Sequence, residues 1–141
     1  MGLFDSLGIS GSGLTAQRMR MDVTAENLAN AQSVGYKRKD VIVQQAGDGG
    51  FGGALANAMG GQSSGGGGVE VSGITQDQSA GRRVYDPGHP DADRNGYVTL
   101  PNVNPVTEMT DLIDASRAYE ANVTAMQSAK QMFSKTLDLL R

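Results

Sequence analysis

The sequence predicts a mainly α fold: long N- and C-terminal helices forming an antiparallel coiled-coil pair, with a small irregular β segment and a Gly-rich loop between them. Three observations predict it. Apolar residues recur at a 3-4 spacing over the first thirty residues and again from Pro105 onward, with no proline inside either run. The stretch between them carries short β-branched and aromatic runs. Within that stretch lies a segment that is half glycine, too polar to pack.

Residues 1–35 read as the first long helix. The alternation Phe4, Leu7, Gly11, Leu14, Arg18, Met21, Ala25, Leu28 departs from apolar character only at Gly11 and Arg18, and the run stops at the turn-like Ser33-Val34-Gly35. Residues 36–104 read as the β and loop region. Its strand-like runs are Val41-Ile42-Val43, Val69 to Ile74, Arg83-Val84-Tyr85 and Tyr97 to Leu100, and Asn95-Gly96 is a hairpin-turn signal between the last two. A flexible excursion is expected over 47–68. Residues 105–141 read as the second long helix, with Asn104 as cap and Pro105 at the first helical position. Its series runs Met109, Leu112, Ser116, Tyr119, Val123, Met126, Lys130, Phe133, Leu137, Leu140. A helix of roughly 33 residues spans about 50 Å, longer than a compact domain of this size is wide. Pairing the two helices antiparallel covers their seams but leaves apolar flanks, which mark either an ordinary helical hairpin or a surface that neighbours cover.

Composition excludes several functions. The 141 residues are 38% hydrophobic and 5% aromatic, with a net charge of -3, no Cys and no Trp. This is a one-domain chain with few large side chains to wall a deep pocket, which argues against a small-molecule substrate, a cofactor or an enzyme. Mild acidity gives no attraction to nucleic acid, and no run approaches the roughly 18 apolar residues needed for membrane insertion. Absence of Cys removes disulfides and thiolate chemistry. Met1 to Ser6 has neither the basic nor the apolar part of a cleaved secretory signal, so departure from the cytoplasm would take another route. The same residues fit the loose myristoylation pattern, but Leu3, Phe4 and Leu7 are better explained as a first amphipathic turn.

Catalytic and metal motifs have plainer explanations. Gly47, Gly49 and Gly52 satisfy a dinucleotide fingerprint that any half-glycine stretch satisfies. Gly61-Gln62-Ser63-Ser64-Gly65 matches a nucleophile elbow with no α/β sheet to carry it, and His89 between Pro87 and Pro90 reads as a loop residue rather than a base. Asp91, Asp93 and Asn95 imitate half of a calcium loop. Asn102 stands where the bidentate Glu is needed, so a turn held by Asx hydrogen bonds is the better reading, with weak cation binding left open. Tyr36-Lys37-Arg38-Lys39 reads as a solvated strand entry or a contact for an acidic partner.

The run Ser10 to Arg18, then Glu26-Asn27-Leu28-Ala29-Asn30-Ala31 and Gly35-Tyr36, resembles the N-terminal signature of bacterial flagellar rod, hook and related axial proteins. Glu108-Met109, Leu112-Ile113 and Ala115 to Asn122 resemble the C-terminal signature of the same family, and Tyr85 to Asp93 with Gly96-Tyr97-Val98 and Pro101 to Asn104 is similar to the central segment of its proximal rod members. The glycine-rich stretch departs from the family pattern.

The resemblance implies a non-enzymatic rod subunit of the basal body, exported through the flagellar type III export apparatus without a cleaved signal and assembled across the periplasm. It implies partners among other flagellar rod proteins, the rod-base adaptor and copies of itself, joined in a helical tube that carries torque. Subunit packing is then expected from Phe4, Leu7, Leu14, Met21, Leu28, Asn27 and Asn30 on the first helix. On the second it is expected from Met109, Leu112, Ser116, Arg117, Tyr119, Glu120, Val123, Met126, Phe133, Leu137 and Leu140. Asn27 and Asn30 are candidates for capping or for hydrogen bonds between subunits, and Arg117 and Glu120 for pairing within the helix or to a neighbour. The rival readings are another rod subunit, or a helical export or binding adaptor that takes a partner helix in a groove.

Overall fold

The computed structural model describes residues 3–46 and 67–139, with side chains described over 5–46 and 67–138. The Gly47 and Ser63 motifs, the Phe4 side chain, Leu140 and the myristoylation pattern at the first residues therefore lie outside the described residues. Two long helices frame the molecule: α1, Leu3–Ala29, and α2, Pro105–Leu139. Between them come β1, Lys39–Ala46, and β2, Gly68–Gln76, paired antiparallel, then β3, Arg82–Tyr85, and β4, Tyr97–Leu100, paired antiparallel in a second sheet.

α2 starts where its sequence signals put it. The Asn104 side-chain oxygen accepts the Val106 N–H at 3.1 Å, satisfying one orphan donor of the first turn, and its carbonyl accepts the Glu108 N–H at 3.0 Å as the first bond of the helix. The helices run antiparallel. A Cβ placed on Gly13 would meet Asn122 at 3.1 Å, and Asn27 bonds Glu108. From 13 to 27 on α1 and from 122 back to 108 on α2 is fourteen residues each, about 21 Å of matched helix.

The line of closest approach is made of small side chains. Ala16 and Val23 are buried on α1, Ala31 just past its end, and Ala115 and Ala129 on α2. This corrects the seam expected from the sequence by one residue. Leu112, Tyr119 and Met126 lie half-buried along the interface, but the alternate positions are taken by Glu108, Ala115, Asn122 and Ala129 rather than Met109, Ser116, Val123 and Lys130. One residue is 100° of helix rotation. Scanning for large apolar residues selects the flank, while the axis of contact belongs to Gly and Ala, which let two backbones approach.

The β1-β2 hairpin lies across α1. A bulge interrupts its register, which runs Ile42 to Gly73 and then Val43 to Val71, leaving Ser72 unpaired. The extra residue keeps Val69, Val71 and Ile74 on one face although their sequence spacing is uneven, and it sets them beside Val41 and Val43. The smaller β3-β4 hairpin turns at Gly96, whose φ of +76° is the left-handed conformation that glycine adopts without penalty. The Tyr85 ring lies so near that an added Cβ would meet it at 2.9 Å.

Because Ala115 is only 2% exposed at the helix contact, Ala115→Leu should overpack the pair and destabilise the chain by about 1–3 kcal/mol. Ala121→Leu, on the exposed face, should stay within about 0.5 kcal/mol. Thermal unfolding followed by circular dichroism checks the contrast, and equal effects would place the seam elsewhere.

Candidate assembly interface

Where α1 ends, the chain turns and enters β1 beside the first turn of α2, and polar groups converge. Asn27 and Glu108 are each 1% exposed. Burying an amide and a carboxylate requires that each be bonded, and both are. Asn27 Nδ2 donates to the Lys39 carbonyl at 2.8 Å and to Glu108 Oε2 at 3.2 Å, while its Oδ1 accepts the Lys39 N–H at 2.9 Å and the Tyr36 hydroxyl at 2.8 Å. The carboxamide thus pairs with Lys39 as a neighbouring strand would. The other Glu108 oxygen accepts Arg38 Nε at 2.7 Å. That bond is the main cause holding the guanidinium above its ordinary pKa, with burial opposing it. Burial, followed by the Glu26 charge, pushes the Tyr36 hydroxyl up and keeps it a donor.

The basic cluster is therefore neither a solvated entry nor a surface for an acidic partner. Arg38 is spent on Glu108 with Asp40 3.8 Å away, Lys39 Nζ bonds Glu26 and lies 5.8 Å from the Tyr36 ring centroid, and only Lys37 turns outward, to Gln78 at 2.8 Å. Hydrophobic patterning missed this network because its members are polar. The signal was present in the signature itself: amides and a carboxylate held inside helices that otherwise pattern as apolar. At the far end of the β1-β2 hairpin, the Ser12 hydroxyl donates to the Ile9 carbonyl at 2.8 Å and accepts the Val69 N–H at 3.1 Å. From Ser12 to Asn27 along α1 is about 22 Å, close to the length of the hairpin it fastens at both ends.

The residues expected to pack subunits fall into three groups. Asn27 is consumed within the chain, and Asn30 caps locally, its Nδ2 donating to the Glu26 carbonyl at 2.9 Å and its Oδ1 accepting the Ser33 hydroxyl at 3.2 Å. The capping alternative thus holds for Asn30, and the bonds of Asn27 lie within the chain. Leu7, Leu14, Met21 and Leu28 on α1, with Leu112, Ser116, Tyr119, Val123 and Met126 on α2, are half-buried. Met109, Arg117, Glu120, Phe133 and Leu137 are exposed, and no ion pair joins Arg117 to Glu120 among the described residues. The chain thus presents apolar side chains along its helices that its own packing leaves partly uncovered.

The motif residues that are described, His89 and Asp91 to Asn95, resolve into turns. Asp93 Oδ1 accepts the N–H groups of Asn95 at 2.7 Å and Tyr97 at 3.2 Å, and Oδ2 accepts Arg83 at 3.1 Å, so its oxygens are taken. His89 Nδ1 accepts the Asp91 N–H at 3.1 Å. Among the described residues no group of three or more His, Asp or Glu side chains is placed to hold a metal ion, and no helix is long and apolar enough to cross a membrane.

Removing the Asn27 carboxamide strands the Lys39 backbone and one side of Glu108, so Asn27→Ala should lower stability by about 2–4 kcal/mol, against about 1 kcal/mol for the local cap in Asn30→Ala. Urea unfolding of the two variants distinguishes them. Asp93 is held below the ordinary aspartate value first by the Tyr97 N–H, then by that of Asn95, and Asp77 by the Ser79 hydroxyl and then the Ser79 N–H. Depressed carboxylates stabilise the fold fully above their unfolded pKa and lose that contribution only as pH falls through the lower folded value. Carboxyl-carbon NMR should therefore find Asp77 and Asp93 still ionised at pH values where a free aspartate is half protonated.

Comparison with known proteins agrees with these features. Residues 7–37 match the family model described as flagella basal body rod protein, and residues 94–139 match the one described as flagellar basal body rod FlgEFG protein C-terminal. Flagellar basal-body rod protein FlgC of Bacillus subtilis (strain 168) is 47% identical, with 99% of each chain covered. FlgC of Borreliella burgdorferi is 41% identical over 100% of this chain and 99% of the relative, and FlgC of Salmonella typhimurium is 41% identical over 99% and 98%. With its two helical signatures matched and its whole length shared with these relatives, the chain belongs to the FlgC family of flagellar basal-body rod proteins, as a structural subunit of the rod and not an enzyme.

Proposed function

We propose that the chain is a proximal rod subunit that assembles through its terminal helices into a helical tube carrying motor torque to hook and filament. The observation that carries this reading is the mismatch between the two helices. α2 has 35 residues and α1 has 27, and the register set by Gly13 and Asn122 brings Leu3 level with the region of Met132. The last turns of α2 run past the described start of α1. Leu137, three turns on from Met126, continues the line of Leu112, Tyr119 and Met126 there and is 51% exposed. An apolar line extended beyond its partner helix is suited to a neighbouring subunit, and a heterologous contact of that kind repeats without closing.

Partners on this reading are copies of the chain, other rod proteins and the adaptor at the rod base. The chain reaches them through the flagellar export apparatus without a cleaved signal, and takes its place in the periplasm. Stiffness follows from long helices held along a close-packed seam, since dense interiors transmit strain.

Deleting the gene should leave basal-body rings without a completed rod by electron microscopy and abolish swimming, both restored by the intact gene. Leu137→Asp should unfold within about 0.5 kcal/mol of wild type, being a surface change in the monomer, yet fail to restore swimming. Restoration by Leu137→Asp would remove the overhang from the assembly contact, and intact rotating flagella in the deletion strain would favour an adaptor role.

A further inference from the structure

The β3-β4 hairpin carries a face that its own chain does not use. Across the register, Arg83 and Tyr85 on β3 share one side with Thr99 and Tyr97 on β4, opposite the side where Val98 is buried. Tyr85 is 64% exposed and Tyr97 is also exposed. Their rings meet edge to face at 5.3 Å, and the Arg83 guanidinium lies 4.9 Å from the Tyr97 centroid while one of its nitrogens bonds Asp93. One donor is spent and the rest of the fork is held in place, with little ordering left to lose on binding. Exposed Tyr and Arg in a fixed arrangement have the composition of a contact hot spot.

A complementary face lies on α2. Met109 and Ile113 are exposed, the latter by 50%, and four residues apart on one side of the helix. Seven residues on, in line with Ile113, stands Glu120, exposed and without an ion pair among the described residues. With Glu108 buried against Arg38, the outer face of this half of α2 carries Asp111, Asp114 and Glu120 against Arg117 alone, so its field is acidic. A cationic aromatic platform faces one way, and an apolar stripe ending in a carboxylate faces another. Among the described residues, β3-β4 and α2 do not pack on each other.

We propose that the Arg83, Tyr85, Tyr97 face of one copy docks on the Met109, Ile113, Glu120 stripe of the next copy. The two rings cover the methionine and isoleucine, and the free guanidinium donors of Arg83 take the Glu120 carboxylate. The contact is heterologous, one different patch from each copy, and it supplements the end-to-end helix contact with a lateral one. It rests on reading the chain as a repeated rod subunit.

The chain has no Cys, so introduced thiols report without background. Basal bodies from cells carrying a doubly substituted chain, Tyr85→Cys with Ile113→Cys, should give a ladder of covalent multimers after mild oxidation, and either single substitution should give monomer. Dimers from a single variant, or no ladder from the double variant in swimming cells, would overturn the proposal. If the double variant does not swim, Arg83→Glu and Glu120→Arg provide the second measurement. Each alone should lower the motile fraction on the order of tenfold, the effect of losing about 1.4 kcal/mol, and the combined exchange should restore it. Failure of the exchange to restore swimming would also overturn the lateral contact. Absence of the unaltered chain from basal bodies of swimming cells would instead refute the rod reading itself.

Discussion

Everything in this fold hangs on a buried carboxamide. Asn27 sits in the last turns of α1, yet its four hydrogen bonds reach the connecting segment through Tyr36, the first strand through both backbone groups of Lys39, and the second long helix through Glu108. Three parts of the chain, the farthest 81 residues away, satisfy one side chain. The arrangement is conditional: Asn27 without Glu108 has a surplus donor, and Glu108 without Arg38 is a buried charge with half a shell. Helix pairing, strand entry and the turn between them are therefore coupled, and loss of one exposes unsatisfied groups in the others.

Such coupling suits a structural subunit of a rod, which must hold one conformation. Apolar burial alone is modest here, because the seam is built of alanine and glycine and gains little area per contact. Geometry rather than bulk supplies specificity. Small residues fix how closely the helices approach, the polar knot fixes their register, and Ser12 with Asn27 fixes the β1-β2 hairpin on α1. The larger apolar side chains are left on the flanks, where a neighbouring subunit can use them.

The helices were legible because their start and stop chemistry is local: Asn104 and Pro105 announce α2, and the caps found there are the ones those residues make. The β3-β4 turn was legible for the same reason, since Gly96 at positive φ is a local requirement. The seam was misread by one residue because apolar bulk was taken as the marker of contact, whereas Ala115 and Ala129 make the contact and Met109 does not. The knot was only half legible, for a deeper reason. Asn27 and Glu108 each stand out as polar residues in an apolar-patterned helix, but they lie 81 residues apart, and neither neighbourhood says which group the other end of the chain will bring to it. The basic cluster was misassigned as a consequence, its partners being inside the molecule rather than outside.

One detail of the β1-β2 hairpin reaches beyond the single chain. A two-stranded sheet has two open edges, and open edges invite other strands. Here outward groups at three positions are occupied: Lys39 by the Asn27 carboxamide, the Val41 N–H by the Asp40 carboxylate and the Val69 N–H by the Ser12 hydroxyl. A subunit that packs against other rod subunits is exposed to edge-to-edge aggregation, the failure that ends in fibrils. By occupying these backbone groups with its own side chains, the hairpin shortens the strand edge open to another chain and favours helix and side-chain faces as the means of joining.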